Sequence, residues 1–234
     1  AEEEAINSIF DANKYEYLSK RVNQDLVTIG IGAVKNSFNK SEGIKIEYVD
    51  PADLVYSYTD SPYFDDIYYV GEVKQIYANE LKKQFPEVTD EDIERYRGYS
   101  TAYRKRTVVN KKGDDSNAIS VLYFEYKTYM SEVYKVKNTS TGGQRAIKKD
   151  SGFNPPKNED FQKVERVIEV IYEGAKILGS GSDKLLKWEL KKNMIRPKAD
   201  TTKAVMSYSM CAPRMYEGRI ESLVSRITGF ADMI

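Results

Sequence analysis

Residues 43–70 read GIKIEYVDPADLVYSYTDSPYFDDIYYV. The alternation of apolar and polar residues in IKIEY predicts a strand, because successive side chains of a strand point to opposite faces of a sheet. Asp50-Pro51 ends this strand, since proline has no amide hydrogen to donate to a neighbouring strand. A second strand, IYYVGEV, follows Asp65-Asp66. The stretch therefore predicts two strands joined by a turn region rich in aspartate and tyrosine.

Upstream of this stretch, the sequence predicts a helix and then a strand. Between Glu2 and Gln24, apolar residues recur at steps of three and four, as one face of a helix requires. Residues 26–34, LVTIGIGAV, are apolar and partly β-branched, which is typical of a strand. The turn-forming residues 39–43 separate this segment from the strand of residues 44–48. We expect the two strands to pair as an antiparallel hairpin.

Downstream, two short helices precede a β-rich region. Helices are predicted over residues 77–85, closed by Pro86, and from the Thr89–Asp92 capping box to about Arg97. Residues 118–136 contain two segments rich in β-branched and aromatic residues, which predict strands.

The rest of the β-rich region contains predicted turns. Residues 138–158, rich in Gly, Ser, Lys and Pro, predict a loop. The elements predicted after it are a strand over 164–172, a turn at Glu173-Gly174, a returning strand over 175–178, a turn at 179–182 and a strand over 185–190. Helices and antiparallel strands in this order predict an α+β fold.

Residues 213–234 carry the strongest helical pattern of the chain. Pro213 is tolerated in the first turn of a helix. The apolar residues that follow are spaced alternately by four and three residues, which predicts a narrow apolar seam that packs against a partner. They are Tyr216, Ile220, Leu223, Ile227, Phe230 and Ile234. Arg219 and Arg226, seven residues apart, are expected beside each other on a neighbouring face of this helix.

Composition limits the classes of function. The chain has 234 residues with 36 Lys and Arg and 36 Asp and Glu, so no overall basic field indicates a nucleic-acid-binding protein. The absence of histidine excludes His-dependent triads and His-bearing zinc sites. The sequence contains no run of about 18 apolar residues, so it predicts no membrane-spanning helix. The chain begins with Ala1 and is expected to be the middle portion of a longer polypeptide.

The aspartates of the opening stretch offer an enzymatic alternative. A metal-dependent nuclease or phosphotransfer enzyme would use Asp50, Asp53, Asp65 and Asp66, because carboxylate oxygens are ligands for Mg²⁺ and Ca²⁺. The structural interpretation is favoured, since aspartate next to proline or serine is typical of turns and caps. We therefore expect no bound metal, no cofactor and no catalytic residue.

The order of these elements resembles the middle portion of portal proteins of tailed bacteriophages. The resemblance is carried by VDPAD at 49–53, YTDS at 58–61, DDIYYV at 65–70, and the helix containing Glu80-Leu81-Lys82 that ends at Phe85-Pro86. In that family a β-rich insertion follows, and then a helix that returns toward the channel. These motifs and their order are most similar to those of portals of short-tailed phages, including the crAss-like gut group.

The resemblance implies a ring, usually a dodecamer, at one vertex of the virion, assembled in the host cytoplasm. Through it double-stranded DNA is packaged by the terminase large subunit and later ejected, and it also contacts the capsid protein and a tail adaptor or connector, with no membrane partner. By the layout of the family, residues 1–76 are wing-like, 77–117 are stem-like helices and connector, 118–190 are the clip-like region that docks terminase and adaptor, and 191–234 are the return helix of stem and tunnel.

Within this layout, two sets of residues are candidates for function. Arg219 and Arg226 are the candidate DNA-channel residues, since sequence-independent contacts to DNA are made to phosphate. The candidate oligomer-interface residues are Tyr216, Ile220, Leu223 and Ile227. A non-viral, β-rich scaffold module is a further alternative to the portal and to the metal-dependent enzyme.

Overall fold

The computed structural model describes residues 2–41, 43–96, 118–139, 142–154, 161–178 and 185–231. They form helices and antiparallel strand pairs, which confirms the predicted α+β class. The helices are α1 (Glu2–Ala12), α2 (Tyr15–Thr28), α3 (Ala78–Gln84), α4 (90–96) and α5 (Leu223–Ala231). The strands are β1 (Gly32–Asn39), β2 (Gly43–Tyr48), β3 (Leu54–Tyr56), β4 (Tyr69–Tyr77), β5 (Ala118–Asn138), β6 (Gln144–Lys149), β7 (Phe161–Ile177), β8 (Leu185–Leu190), β9 (Tyr208–Cys211), β10 (Met215–Tyr216) and β11 (Arg219–Ile220).

The described strands form three sheets. Their orders are β2-β1-β9, β10-β11 and β3-β4-β5-β7-β8, and β6 pairs with β5 of the largest sheet. β1 and β2 pair antiparallel from Val34 opposite Tyr48 to Asn39 opposite Gly43, so an antiparallel hairpin forms as predicted, but its first strand is Gly32–Asn39 and not residues 26–34. β9 pairs with the other edge of β1.

The described residues divide into two compact units. Unit 1 is drawn from residues 1–126, 173–189 and 207–234, and unit 2 from residues 127–172 and 190–206. The long strands β5 and β7 each contribute residues to both units.

The core of unit 1 is built by β5 together with helices α3 and α4. Ile119 and Val121 of β5 are completely buried and share one face of the strand, because they are two residues apart. They pack in one cluster with Leu81 of α3 and with Ile93 and Tyr96 of α4. Burial of each large apolar side chain contributes about 1.5–3 kcal/mol, so this cluster fixes α3 and α4 on the sheet.

The capping box predicted before α4 is confirmed. The Asp92 amide donates to Thr89 Oγ1 at 3.2 Å, and the Thr89 amide donates to Asp92 Oδ2 at 3.4 Å. These bonds satisfy two amides that the start of a helix otherwise leaves unpaired. The predicted end of this helix near Arg97 and the predicted turn at residues 179–182 lie outside the described residues.

Glu72 is a buried carboxylate of unit 1. Its Oε1 lies 2.8 Å from Lys35 Nζ and 3.1 Å from Lys74 Nζ, and it accepts a hydrogen bond of 3.1 Å from the Tyr208 hydroxyl. Burial by itself would raise the pKa of Glu72, but the charges and hydrogen bonds of the two lysines outweigh burial and lower this pKa. Because Lys35 is in β1 and Tyr208 in β9, the ionised carboxylate ties the small sheet to β4.

Glu132 is a buried carboxylate of unit 2, as Glu72 is of unit 1. Its carboxylate accepts hydrogen bonds from Lys148 Nζ at 2.7 Å, the Tyr134 hydroxyl at 2.7 Å and Arg166 Nη2 at 3.1 Å. Burial would raise the pKa of Glu132, but these hydrogen bonds lower it to about 2. The three donors come from β5, β6 and β7, so one carboxylate joins three strands.

Arg196 fixes the segment that follows β8 in unit 2. Its Nη1 donates to the carbonyl oxygens of Thr201, Thr202 and Lys203 at 3.2–3.3 Å, and its Nη2 donates to the carbonyl oxygen of Glu169 in β7 at 2.8 Å. Because an arginine presents several donors in a rigid fork, one side chain satisfies several carbonyl groups of this segment at once.

The predicted helix over residues 2–24 is interrupted at Asn13-Lys14. Lys14 adopts a left-handed backbone with φ 51°, which ends α1 and opens α2. The Asn13 side chain donates to the Ile44 carbonyl at 2.9 Å and accepts from the Ile46 amide at 2.9 Å. Because β2 is an edge strand, its backbone groups are open to such pairing, and this contact is the physical reason for the break.

The strand predicted over residues 26–34 is wrong for residues 26–31, because β1 begins only at Gly32. Helix α2 continues through Thr28, and Gly30, with φ 97°, ends the turn that follows. A Cβ at Gly32 would lie 2.7 Å from Val22 Cγ1 of α2, so this glycine permits the strand to pass close to the helix. Of the two glycines that interrupt the apolar run, Gly30 therefore ends the turn after α2, and Gly32 permits the close contact with this helix.

The loop predicted over residues 138–158 is wrong for residues 144–149. These residues form β6, which pairs antiparallel with β5 from Val133 opposite Lys149 to Asn138 opposite Gln144. The composition of β6 is unfavourable for a strand, so its conformation comes from the pairing with β5. Residues 155–158 lie outside the described part of the chain.

The turn predicted at Glu173-Gly174 is also wrong, because both residues lie inside the continuous strand β7. Phe124 of β5 packs over Gly174, where a Cβ would come within 2.5 Å of the phenyl ring. A glycine inside a strand often marks such a close approach.

The helix predicted from Pro213 is wrong for residues 213–222. Glu217 and Gly218 have φ 48° and 72°, and they connect β10 and β11 as a two-residue hairpin turn in which Tyr216 is opposite Arg219. Consecutive positive φ angles are typical of the type I′ turn, which matches the twist of paired strands. The helix begins only at Leu223.

Candidate assembly surface and channel residues

The candidate residues of the chain's last segment lie on β10, β11 and α5, which all belong to unit 1. The buried Ser222 separates the hairpin from the helix, and its hydroxyl oxygen accepts a hydrogen bond of 3.0 Å from the Ser225 amide. This contact between the N-cap and the third helical residue is a standard helix start. It explains why the helical pattern is realised after residue 222 and not before it.

The hairpin is held close to its neighbours by two glycines. A Cβ at Gly218 would lie 2.7 Å from the Tyr58 ring, and a Cβ at Gly30 would lie 2.9 Å from the Glu221 carbonyl oxygen and from Ile220 Cγ2. Helix α5 in turn packs against α2. The end of α2, the hairpin and α5 therefore form one continuous surface.

The predicted interface residues are largely exposed on this surface. Tyr216 is 74% exposed, Ile227 59% and Leu223 44%, whereas Ile220 is half-buried. They do not form the single helical seam that the sequence predicts, because Tyr216 and Ile220 lie in the hairpin. Exposed apolar side chains that cluster on one surface are typical of interaction sites.

The candidate channel residues Arg219 and Arg226 are both exposed. Arg219 is in β11 and Arg226 in α5, so the shared helical face expected from their spacing does not exist. Among the described residues, neither arginine forms an ion pair. Each guanidinium group is chemically suited to hydrogen-bond a phosphate.

Helices α1 and α2 add a feature that the sequence reasoning missed. Neither helix contains a fully buried residue. Their apolar side chains Ile6, Phe10 and Tyr17 are 51%, 37% and 71% exposed. Phe10 stacks on Tyr15 across the break, with ring centroids 4.4 Å apart. The apolar spacing of residues 2–24 was a signal for an apolar face, but it does not say whether this chain covers that face.

Helix α2 is nevertheless held firmly on the β1–β2 hairpin. The Arg21 guanidinium lies 3.6 Å from the centroid of the Tyr48 ring, and the Tyr48 hydroxyl donates to Asp25 Oδ2 at 2.6 Å. Burial and the neighbouring carboxylates raise the pKa of Tyr48 to about 12. The exposed side of α2 is therefore a defined surface.

The aspartates of the enzymatic alternative have separate local contacts. Asp50 accepts the Ala52 amide at 3.0 Å as the cap of the 3₁₀ turn, and its carboxylate lies 3.8 Å from Arg21. Asp53 ends that turn, with its amide donating to the Asp50 carbonyl at 3.0 Å. Asp66 accepts a hydrogen bond from the Thr59 hydroxyl. Over the described ranges, no three His, Cys, Asp or Glu side chains, Asp65 included, are grouped so that they could hold a metal ion.

In the described part of the chain, no helix has both the length and the apolar character needed to cross a membrane. Comparisons of the sequence with protein-family models and with curated proteins find no match.

Proposed function

We propose that this chain is part of a portal subunit of a tailed bacteriophage, which forms a ring that conducts double-stranded DNA during packaging and ejection. The observation that carries the proposal is the uncovered apolar surface of α1, α2 and α5. Two helices without a single buried residue contribute little to the core of this chain, since most helical stability in proteins comes from packing of the apolar face. A ring supplies that packing from neighbouring subunits.

The order of elements is the second support. The hairpin β1–β2, the 3₁₀ turn at Pro51–Asp53, strand β4 and helix α3 follow one another in the order that the portal resemblance requires. Long strands follow α3 and α4, and the chain then returns to α5. In this proposal the β-rich region docks terminase and the tail adaptor, and the ring also contacts the capsid protein.

Such a conduit acts through the shape of its channel and not through a chemical reaction. DNA must slide past the ring, so the contacts to phosphate have to be few and independent of sequence. Arg219 and Arg226 fit this requirement, because both are exposed and neither is neutralised by an ion pair among the described residues. The balanced total charge of the chain is compatible with a channel that does not trap DNA.

Microscopy of the full-length protein tests the proposal. We expect ring-shaped particles in negative stain, and we expect Leu223→Asp and Ile227→Asp to abolish them, because a buried carboxylate in the subunit interface is strongly unfavourable. The matched control is Val167→Asp, whose parent side chain is 58% exposed on β7, close to the 59% of Ile227. This control is expected to leave the rings intact.

Three results would each refute one part of the proposal. A full-length protein that stays monomeric at all accessible concentrations refutes the ring. Rings that survive both α5 substitutions refute the interface assignment. A reconstruction in which Arg219 and Arg226 both point away from the lumen refutes the channel assignment only.

A further inference from the structure

The turn between α3 and α4 and the start of β8 enclose a pocket of about 290 Å³ in unit 1, which we call the Tyr96 pocket. Its apolar lining consists of Phe85, Pro86, Val88, Tyr96, Leu185 and Leu186. Ligand pockets in proteins are mostly apolar, and drug-sized ligands occupy about 300–1,000 Å³. The Tyr96 pocket lies at the lower end of this range, so it suits a ligand of about one ring.

The walls of the Tyr96 pocket are held in place by the core of unit 1. Phe85, Val88 and Leu186 pack against the buried cluster that contains Leu81 and Ile93. The Phe85 amide donates to the Leu81 carbonyl at 2.8 Å, and the Val88 amide donates to the Phe85 carbonyl at 3.1 Å. Because the turn is fixed in this way, a ligand can bind without the free-energy cost of ordering the walls.

Tyr96 supplies the pocket with a polar group. The residue is 5% exposed, and within the described part of the chain its hydroxyl forms no hydrogen bond. Burial and the neighbouring Asp92 carboxylate raise the pKa of Tyr96, so the group is a neutral hydroxyl that can donate and accept.

The other polar side chains of the lining already have partners or lie in solvent. The Gln84 amide oxygen accepts a hydrogen bond of 2.6 Å from the Tyr123 hydroxyl. The Lys187 ammonium is paired with the Glu173 carboxylate, and Glu87 is exposed. A charge enclosed by apolar walls without an opposite charge is strongly unfavourable. The lining therefore favours an uncharged ligand.

We propose that the Tyr96 pocket binds a small uncharged aromatic ring that carries one hydroxyl group, with this hydroxyl hydrogen-bonded to Tyr96. The aromatic side chains of Phe85 and Tyr96 provide favourable contacts for such a ring. A ligand that fills the pocket excludes water from the Tyr96 hydroxyl, so a ring without a polar group would leave this hydroxyl unpaired. The inference depends neither on the portal function nor on ring assembly.

Two probes with the same ring test the proposal on the full chain. They are p-cresol and toluene, which differ only in the hydroxyl group. Titrations are followed by the methyl resonances of the protein in NMR spectra. We expect the resonances of Val88, Leu185 and Leu186 to shift, and those of Val167 in unit 2 to stay unchanged. In the wild type p-cresol should bind about fivefold or more tightly than toluene, because only p-cresol pairs with Tyr96.

Tyr96→Phe removes the hydroxyl and keeps the ring. We expect it to weaken p-cresol binding by about fivefold or more and to leave toluene binding unchanged or tighter. Its Tm should equal that of the wild type, since the hydroxyl has no hydrogen bond within the described residues. The matched control is Tyr129→Phe, whose parent side chain is 71% exposed on β5, and it should keep the wild-type affinity for both probes.

A phenol of this size is either a free small molecule or the tyrosine side chain of a partner, and both offer the same chemistry to Tyr96. N-acetyltyrosinamide distinguishes the two sources. Binding at least as tight as that of p-cresol supports the proposal with a tyrosine side chain as the ligand. Weaker binding than that of p-cresol supports it with a free phenol.

Equal affinities of p-cresol and toluene for the wild type would overturn the proposal, as would shifts at Val167 instead of the pocket methyl groups. A Tyr96→Phe variant that binds p-cresol as tightly as the wild type would contradict the role of the hydroxyl. A clear fall in the Tm of this variant would show that the hydroxyl already has a partner inside the protein, which also refutes the proposal.

Discussion

The phenyl ring of Phe124 in β5 lies directly over Gly174 in β7, where a Cβ would come within 2.5 Å of the ring's Cζ. Gly71 of β4 is paired with Phe124 on the other side, and Trp188 of β8 lies with its ring centroid 5.9 Å away. The aromatic side chain therefore occupies the space that two glycines leave on the sheet.

This relationship predicts that Gly174→Ala destabilises the protein by about 1–3 kcal/mol, because the added methyl group overpacks a rigid ring. Chemical denaturation followed by circular dichroism measures the change. The control is Gly152→Ala, since a Cβ there would meet no atom within 4 Å. Adding Phe124→Leu to Gly174→Ala should restore part of the loss, and a double variant less stable than the single one would contradict this packing.

Gly218→Ala distinguishes the observed hairpin from the predicted helix by the sign of its effect. In a helix the substitution would stabilise by about 1 kcal/mol. In the hairpin it destabilises, because residue 218 has φ 72° and its Cβ would meet the Tyr58 ring. Thermal unfolding gives the sign, and a higher Tm in the variant would restore the helical interpretation.

Glu132→Gln should remove an acid-sensitive part of the stability. The pKa of Glu132 is about 2 in the folded chain against 4.5 for an unperturbed glutamate, so its contribution is complete above about pH 4.5 and is lost as the pH falls toward 2. The variant should be less stable than the wild type at pH 7, and this difference should shrink over that acid range. Thermal melts from pH 2 to 7 measure it.

The control for this prediction is Glu165→Gln, which removes an exposed carboxylate 2.5 Å from Lys163. Surface pairs of this kind contribute about 0–1 kcal/mol, so its pH profile should follow the wild type. A constant difference between Glu132→Gln and the wild type at all pH values would show that Glu132 is not the titrating group.

Addition of MgCl₂ or MnCl₂ should leave the Tm unchanged if Asp50, Asp53 and Asp66 serve as caps and turn residues. A site filled at 100 times its Kd would add about 2.7 kcal/mol to the stability of the folded state. The measurement is a thermal shift against NaCl of equal ionic strength. A rise in Tm that Asp66→Asn abolishes would restore the metal-dependent enzyme.

Local signals were predictable from the sequence, because their physical cause lies within a few residues. Thr89 and Asp92 cap α4 through contacts three residues apart, and Asp50-Pro51 ends β2 through the chemistry of proline. The turn predicted at Gly174 was wrong, because the reason for a glycine there is its contact with Phe124, which is 50 residues away in the chain. The strand conformation of β6 depends in the same way on its register with β5.

For the candidate site, too, local patterns were predictable and features that depend on the folded backbone were not. The apolar spacing from Tyr216 to Ile234 predicted one helix, but the helix begins only at Leu223, and Ser222 and Gly218 decide where it begins. Both are common residues whose effect depends on backbone geometry. Periodicity also cannot reveal that no residue of α1 or α2 is fully buried, since it identifies an apolar face and not what covers that face.

Strand β5 runs unbroken over 21 residues, yet its first and last residues differ in burial. Ile119 and Val121 are inaccessible to solvent, whereas Lys137 and Asn138 are exposed. Amide hydrogen exchange follows the free energy of local opening. A single hydrogen-bonded strand should therefore show slow exchange at its beginning and fast exchange at its end, so that continuous secondary structure in this protein does not mark a single dynamic unit.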